Sequence, residues 1–133
     1  MKLTNRCEYA LLALAYLGRC SPGEYATVEK ISACQGIPPK FLEQILLALK
    51  RAQYVQSVKG QGGGYRLAKP ASEISIAEII RLVNGALAPT DSVSQYFYNS
   101  TPIEREKMLV MLFRDIRDMI AGKLESTMLS DIL

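Results

Sequence analysis

The chain has no histidine. The commonest general base is therefore missing, and hydrolase triads or imidazole-dependent sites have no raw material. Its three cysteines, Cys7, Cys20 and Cys34, are odd in number and widely spaced. That pattern argues against a disulfide framework and against a zinc site, which wants closely spaced ligands. No apolar run approaches the ~20 residues needed to span a bilayer. The N-terminal stretch Met1-Lys2-Leu3-Thr4-Asn5-Arg6 moves directly into a helical pattern instead of a signal-peptide core. A cytoplasmic protein is expected. No Gly-Lys-Ser/Thr follows the glycines at 60–64, and no dinucleotide-type glycine pattern opens a helix after a buried strand. Paired carboxylates and nucleophile–base sets are also missing, so an enzyme is not expected.

What is present is a chain of 133 residues with 49% hydrophobic content, enough for one globular domain or one domain with a long appended helix. A chain of this size gains much from a partner subunit. Its net charge of +3 is unevenly divided. Residues 1–70 hold ten Lys or Arg against four Glu, and residues 71–133 hold six against nine acidic residues. A basic half joined to a mildly acidic half fits one face that meets a polyanion.

The spacing predicts a helix over residues 4–18, capped by Thr4 and apolar on nearly every side, hence buried on more than one face. A second, shorter helix starts at Thr27. Gly36 can take the left-handed conformation that stops it, and Ile37 can tuck into the core behind the turn. Pro38-Pro39 suits the start of a third helix, since proline at the first position loses no needed donor. Helix, glycine turn and helix is the helix-turn-helix pattern. Projected at roughly 100° per residue, residues 40–51 put Phe41, Leu42, Ile45, Leu46, Ala48 and Leu49 on a core side. Lys40, Glu43, Gln44, Leu47 and Arg51 occupy the other, with Lys50 at its edge. That outer face has the chemistry of a base reader: Gln44 for adenine, Glu43 for cytosine, Lys40 for guanine or phosphate, and Leu47 for a thymine methyl.

Residues 54–59 and 65–67 read as two short strands joined by a glycine loop. Three successive glycines cost conformational entropy, so a plain hairpin would not need them. They permit positive φ angles and close approach of the backbone to another surface, with Lys59 beside them as a cation for a narrow groove or a phosphate. The expected fold is mainly α with a small β-hairpin wing. It divides into a winged helix-turn-helix DNA-binding domain over 1–70 and a helical connection and dimerisation region over 71–133.

After Pro70, Ser75 with Glu78 forms a capping box that opens a helix at Ile76, ending at Asn84-Gly85. Residues 86–100 show no convincing period and are expected to be an irregular connection. A second capping box, Thr101 with Glu104 and Pro102 at the first position, is expected to open a long helix to about Lys123. Leu109, Leu112, Ile116 and Met119, widened by Phe113 and Ile120, form a stripe long enough to pair with a twofold copy.

Met1-Lys2-Leu3-Thr4, Glu8-Tyr9-Ala10, Phe41 to Leu46, Gly60-Gln61-Gly62-Gly63-Gly64-Tyr65, Ile76 to Ile80 and Ser126 to Asp131 together resemble the IscR/NsrR/CymR family of bacterial winged-helix regulators. The likeness covers nearly the whole chain apart from residues 86–101. It implies a homodimeric, sequence-specific transcriptional regulator, a repressor by promoter occupancy, on a partly palindromic operator. The helix with Lys40, Glu43 and Gln44 would enter the major groove and Lys59 to Gly62 the minor groove, with Lys2, Thr4 and Tyr9 near phosphates. The full expected DNA-facing set is Lys2, Thr4, Tyr9, Pro38, Lys40, Phe41, Glu43, Gln44, Arg51, Lys59, Gly60, Gln61, Gly62, Gly63 and Tyr65. Cys7 departs from the family's frequent glycine.

Cluster-bearing members hold iron and sulfur with grouped cysteines ahead of the long helix. Here residues 85–104 contain neither cysteine nor histidine, so no iron–sulfur cluster is expected by that route. The three cysteines are expected on or near buried faces as packing residues. The chain more resembles the cluster-free cysteine-metabolism repressors, which implies a signal received through a protein partner or thiol chemistry. Two alternatives stay open: a winged-helix protein-interaction module, and a redox or iron–sulfur sensor with non-standard ligands.

Overall fold

Five α-helices and one two-stranded antiparallel sheet form the protein in a computed structural model that describes residues 1–133. The first helix, α1 (Asn5–Arg19), starts where the Thr4 hydroxyl accepts a hydrogen bond from the Cys7 N–H. Cys7, Ala10, Ala13, Leu14, Ala15 and Leu17 are all buried, spread around more than one face, so α1 is the central post of the fold. Its alanines let neighbouring helices approach closely.

Helix α2 (Val28–Gln35) is capped by Thr27 and ends at Gly36, whose φ of +67° is the left-handed conformation expected from sequence. The chain then turns with Ile37 buried, its N–H donating to the Ser32 carbonyl. Helix α3 (Pro39–Arg51) follows with proline at its first position and no side-chain cap. Leu42, Ile45, Leu46 and Leu49 are buried on one side of α3, which matches the projection; Phe41 and Ala48 are half-buried at the margin. Gln53, at φ +68°, ends the helix as glycine would elsewhere, with the Tyr54 N–H returning to the Leu49 carbonyl.

Strands β1 (Val55–Val58) and β2 (Gly64–Leu67) pair in the register Val55 with Leu67 and Val58 with Gly64. Ala26, ahead of α2, adds a further rung: its N–H and C=O each bond to Tyr65 at 2.8 Å. The hairpin is thus seated on the α1–α2 connection.

Helix α4 (Ile76–Val83) carries the expected capping box, with Ser75 N–H donating to Glu78 Oε2 at 2.7 Å and Glu78 N–H to Ser75 Oγ at 3.2 Å. Ile74 and Ile79 enter the same core as Leu14, Ile31 and Leu46, and so does Leu129 near the far end of the chain. Two main-chain bonds fasten that end: Ile76 N–H to the Thr127 carbonyl and Leu129 N–H to the Ile74 carbonyl.

The second capping box departs from expectation. Thr101 N–H does donate to Glu104 Oε1 at 3.0 Å, but Pro102–Arg105 forms only a 3₁₀ turn. Glu106 is extended, and the long helix α5 (Lys107–Glu125) begins after it. The reason lies in the partners of the box. The Glu104 carboxylate also accepts from Tyr98 Oη, and the Thr101 hydroxyl donates to Ser92. These bonds fold the turn onto the preceding connection instead of along the helix axis. Residues 86–100 are irregular as expected, apart from a 3₁₀ turn at Asp91–Val93 that buries Ser92 and Val93. No helix is long and apolar enough to cross a membrane.

Candidate nucleic-acid interface

Along α3, Lys40, Glu43, Gln44, Leu47, Lys50 and Arg51 are all exposed, as is Pro38 before it. No other part of the chain covers this ridge. Phe41 is half-buried and meets the Tyr9 ring edge-on at 5.6 Å between centroids. That contact fixes the start of α3 against α1, so Tyr9 and Phe41 act as a joint as well as a surface.

The wing tip is bare. Lys59, Gly60, Gln61 and Gly62 are exposed, and a Cβ at Gly60 (φ +95°) or Gly62 (φ +76°) would meet nothing within 4 Å. The next two glycines serve a different purpose from the one expected. Gly63 is buried, and a Cβ there would lie 2.3 Å from the Val58 carbonyl oxygen. Gly64, at φ +140°, would put one 2.3 Å from the carbonyl oxygen of Ala26. Their close approach is therefore to the protein's own backbone, and Gly63 shapes the tip from beneath. Tyr65 is half-buried in the rung to Ala26.

No Lys or Arg of the first half forms an ion pair. The two ion pairs of the structure, Arg81–Glu125 and Arg117–Asp118, both lie beyond residue 70. Arg66 lies over the Tyr25 ring and Lys69 over the Tyr54 ring, each at 4.7 Å. Lys2, Lys40, Lys50, Arg51 and Lys59 stand exposed and unneutralised, which is the electrostatic footprint of a polyanion surface.

Two tethers that sequence reasoning missed hold this surface to the C-terminal half. Tyr54, at the base of the wing, donates from its hydroxyl to Glu78 Oε1 at 2.6 Å. Burial first, and then this bond, push the Tyr54 hydroxyl up to about 12. Burial alone would raise the Glu78 carboxyl; hydrogen bonds from Tyr54 and Ser75, with Lys69 nearby, outweigh it and hold the group below the usual carboxylate range. The second tether runs from Asn84 to the backbone of Lys2 and Thr4. Both Thr4 and Lys2 are exposed at the head of α1. In sequence Asn84 looked only like a helix stop, and nothing local marks its long-range bonds.

Helix α5 buries a single residue, Ala121. Leu109, Leu112 and Met119 of the expected stripe are exposed, whereas Phe113, Ile116 and Ile120 are half-buried toward their own chain. Met108 and Met111, absent from the sequence-derived set, are 73% and 47% exposed and extend the bare apolar face. Their three-residue spacing from Met111 to Met108, beside Leu112, is the signal that would have found them.

The cysteines do not share one environment. Cys7 is buried against Ala77, Ile80 and Leu87. Cys20 is half-buried, and Cys34 is exposed, the one departure from the expectation that all three lie on or near buried faces. Cys34 lies three residues from buried Ile31 on the same side of α2, but in its last turn, where it stays exposed. Burial, reinforced by Glu8, raises the Cys7 thiol; burial, reinforced by Glu24 against Lys30, raises Cys20. Both are thereby kept protonated near neutral pH. No three His, Cys, Asp or Glu side chains converge anywhere. In the connection ahead of α5 the Glu104 carboxylate is committed to Thr101 and Tyr98, and Ser92 and Ser94 are the buried polar side chains. Hydroxyls in place of thiolates do not fit an iron–sulfur cluster.

Comparison with known proteins agrees with this geometry. Residues 3–133 match the Rrf2 family, described as "Iron-dependent Transcriptional regulator". The chain is 35% identical over 133 residues to Rv1287 of Mycobacterium tuberculosis strain ATCC 25618/H37Rv, provisionally assigned as an HTH-type transcriptional regulator; the match covers 99% of this chain and 81% of the relative. It is 40% identical over 85 residues to the HTH-type transcriptional regulator IscR of Cereibacter sphaeroides, covering 62% of this chain and 55% of that protein. Among solved structures, CymR (YrzC), the global cysteine regulator of B. subtilis, superimposes with a TM-score of 0.80 at 26% identity, covering 99% of this chain and 95% of that one.

Proposed function

The chain belongs to the Rrf2 family of transcriptional regulators, and we propose that it acts in the cytoplasm as a homodimeric repressor of a partly palindromic operator. One observation carries the reading. The polar ridge of α3 and the tip Lys59 to Gly62 are both uncovered and are joined by the turn at 52–54 and strand β1, amid cations that form no ion pair. In this proposal Glu43 and Gln44 read base edges in the major groove, Lys59 enters the minor groove, and Lys2, Thr4, Arg51 and the α1 start meet phosphates.

The pairing surface is the exposed face of α5, built from Met108, Leu109, Met111, Leu112 and Met119. A 19-residue helix that buries one side chain of its own leaves its apolar face for a second copy. Two α3 helices related by a twofold axis then meet half-sites about one helical turn apart, ~34 Å. Repression follows from occupancy of the promoter. The chain works without an iron–sulfur cluster, because its donor set is hydroxyls and committed carboxylates where cluster-bearing regulators of this type use thiolates. Its signal then arrives through a protein co-regulator or at a thiol.

Gel shift on the protein's own promoter, with salt varied, tests the reading. Affinity should fall steeply as salt rises, because neutralised phosphates release counterions. Gln44→Ala should relax preference at one base pair by ~1–3 kcal/mol. Equal losses on matched and scrambled duplex would remove Gln44 from base reading, and a flat salt response would remove the DNA-binding surface.

A further inference from the structure

We infer that Asn84 is a positioning residue for DNA binding: its carboxamide clamps the N-terminal segment in the conformation that presents Lys2 and the α1 start to phosphate. This rests on the DNA-binding reading above and adds to it a residue that belongs to neither the ridge nor the wing. Asn84 closes α4, with its own N–H bonded to the Ile80 carbonyl at 2.7 Å. Its side chain then reaches across to the other end of the chain. Oδ1 accepts the Thr4 N–H and Nδ2 donates to the Lys2 carbonyl, each at 2.9 Å.

The planar amide thus takes the place of a neighbouring β-strand, satisfying one donor and one acceptor on either side of Leu3. The carboxamide of Asn or Gln carries both functions side by side on one flat group. Leu3 packs onto the small cluster of Cys7, Ala77, Ile80 and Leu87, on the same side of the molecule as α4. Thr4 meanwhile caps α1 through its hydroxyl. The N-terminal segment and the helix start are therefore held together, from the side chain of Thr4 and from the side chain of Asn84.

Without the clamp, Lys2 and Leu3 form a free tail that must be ordered again on each binding event. Fixing a backbone residue costs on the order of tenfold in an equilibrium constant, so an incomplete loss of order predicts about 5- to 20-fold weaker binding.

The test uses the full chain and the promoter duplex that the wild-type protein retards, with affinity measured by fluorescence anisotropy across a salt series. Asn84→Ala should bind about 5- to 20-fold more weakly, and the slope of log K against log salt should become shallower by about one phosphate contact. The ratio of affinities for matched over scrambled duplex should not change. Lys2→Ala should weaken the wild type but cost almost nothing in the Asn84→Ala background, because the side chain it removes is already unpositioned. Asn84→Asp, the same shape with its acceptor kept, sets a carboxylate oxygen against the Lys2 carbonyl and should act in the same direction. Its thermal melt separates loss of the clamp from loss of the fold, and it decides the matter should the alanine variant unfold. Unchanged affinity and slope in both folded variants, or full additivity with Lys2→Ala, would overturn the inference. If the wild type itself shows no salt-dependent binding, the failure lies in the DNA-binding reading instead.

Discussion

Gly64→Ala probes how the wing is seated. The residue sits at φ +140°, and an added Cβ would lie 2.3 Å from the Ala26 carbonyl oxygen and 2.6 Å from its carbonyl carbon. These are backbone atoms that cannot swing aside. Holding a side-chain-bearing residue in this region costs about 1–3 kcal/mol. Relieving the overlap by forcing the backbone apart costs about 1–3 kcal/mol more, and it breaks the two 2.8 Å bonds between Ala26 and Tyr65. These contributions overlap, since separating Ala26 from Tyr65 also relieves the clash, so a net loss of about 3–5 kcal/mol is expected. Urea unfolding at one fixed protein concentration reads it directly. With a slope of about 1–3 kcal/mol per M, the midpoint should fall by roughly 1–5 M. Gly62→Ala is the internal control: positive φ but open space, hence a loss nearer 1 kcal/mol. If the two variants melt together, the Ala26 rung does not seat the wing and the reasoning is wrong.

Lys59→Ala should weaken binding to matched and scrambled duplex by a similar factor and flatten the salt slope by about one contact; a selective loss on the matched duplex would mean that Lys59 reads sequence. Leu112→Asp sets a charge on the exposed apolar face of α5 and should yield a folded monomer by analytical ultracentrifugation, with operator binding down on the order of a hundredfold. A persistent dimer would place the pairing surface elsewhere. The Tyr54–Glu78 bond gives a pH signature. Glu78, depressed in the fold, contributes stability present above the ordinary carboxylate value near ~4.3 and lost as pH falls below it. Tyr54, raised to about 12, contributes stability complete below the ordinary tyrosine value near ~10 and lost as pH climbs through the interval above it. Tyr54→Phe should therefore cost about 1–2 kcal/mol at neutral pH, and the gap to wild type should narrow at both extremes in thermal melts; a gap independent of pH would exclude the bond.

Most of the local architecture was legible because local chemistry specifies it. Thr4 and Ser75 cap helices at the expected places, Thr27 caps the helix read as starting there, and Gly36 takes the expected left-handed turn. The apolar side of α3 was recoverable because a 3.6-residue period survives in a half-exposed helix. What failed depended on partners distant in sequence. Thr101 and Glu104 looked like a helix opening, yet Tyr98 and Ser92 claim their polar atoms. The run of glycines showed that backbones must come close, but not that Ala26 is the backbone in question. Cys34 falls on the expected side of α2, three residues from buried Ile31, yet it is exposed in the last turn, and how far a neighbour covers that turn is not set by the period. Tyr54 with Glu78, and Asn84 with Lys2, are long-range pairs that no spacing rule announces.

Leu129 fills the same interior as Leu14 and Leu46, fastened there by its bond to Ile74. The reading head and the arm that follows it consequently cannot be cut apart: a fragment ending at Pro70 would lack Ile74, Ile79 and Leu129 and expose the hollow they occupy. Truncating Leu129 alone to alanine should cost ~2–5 kcal/mol. A force applied to the end of α5 is thus delivered to the hydrophobic centre beneath α3, within a few residues of covalent chain. On the proposed reading, self-association, folding and grip on the double helix become one linked equilibrium, and a modulator that bends the arm has no need to touch the side chains proposed to read the groove.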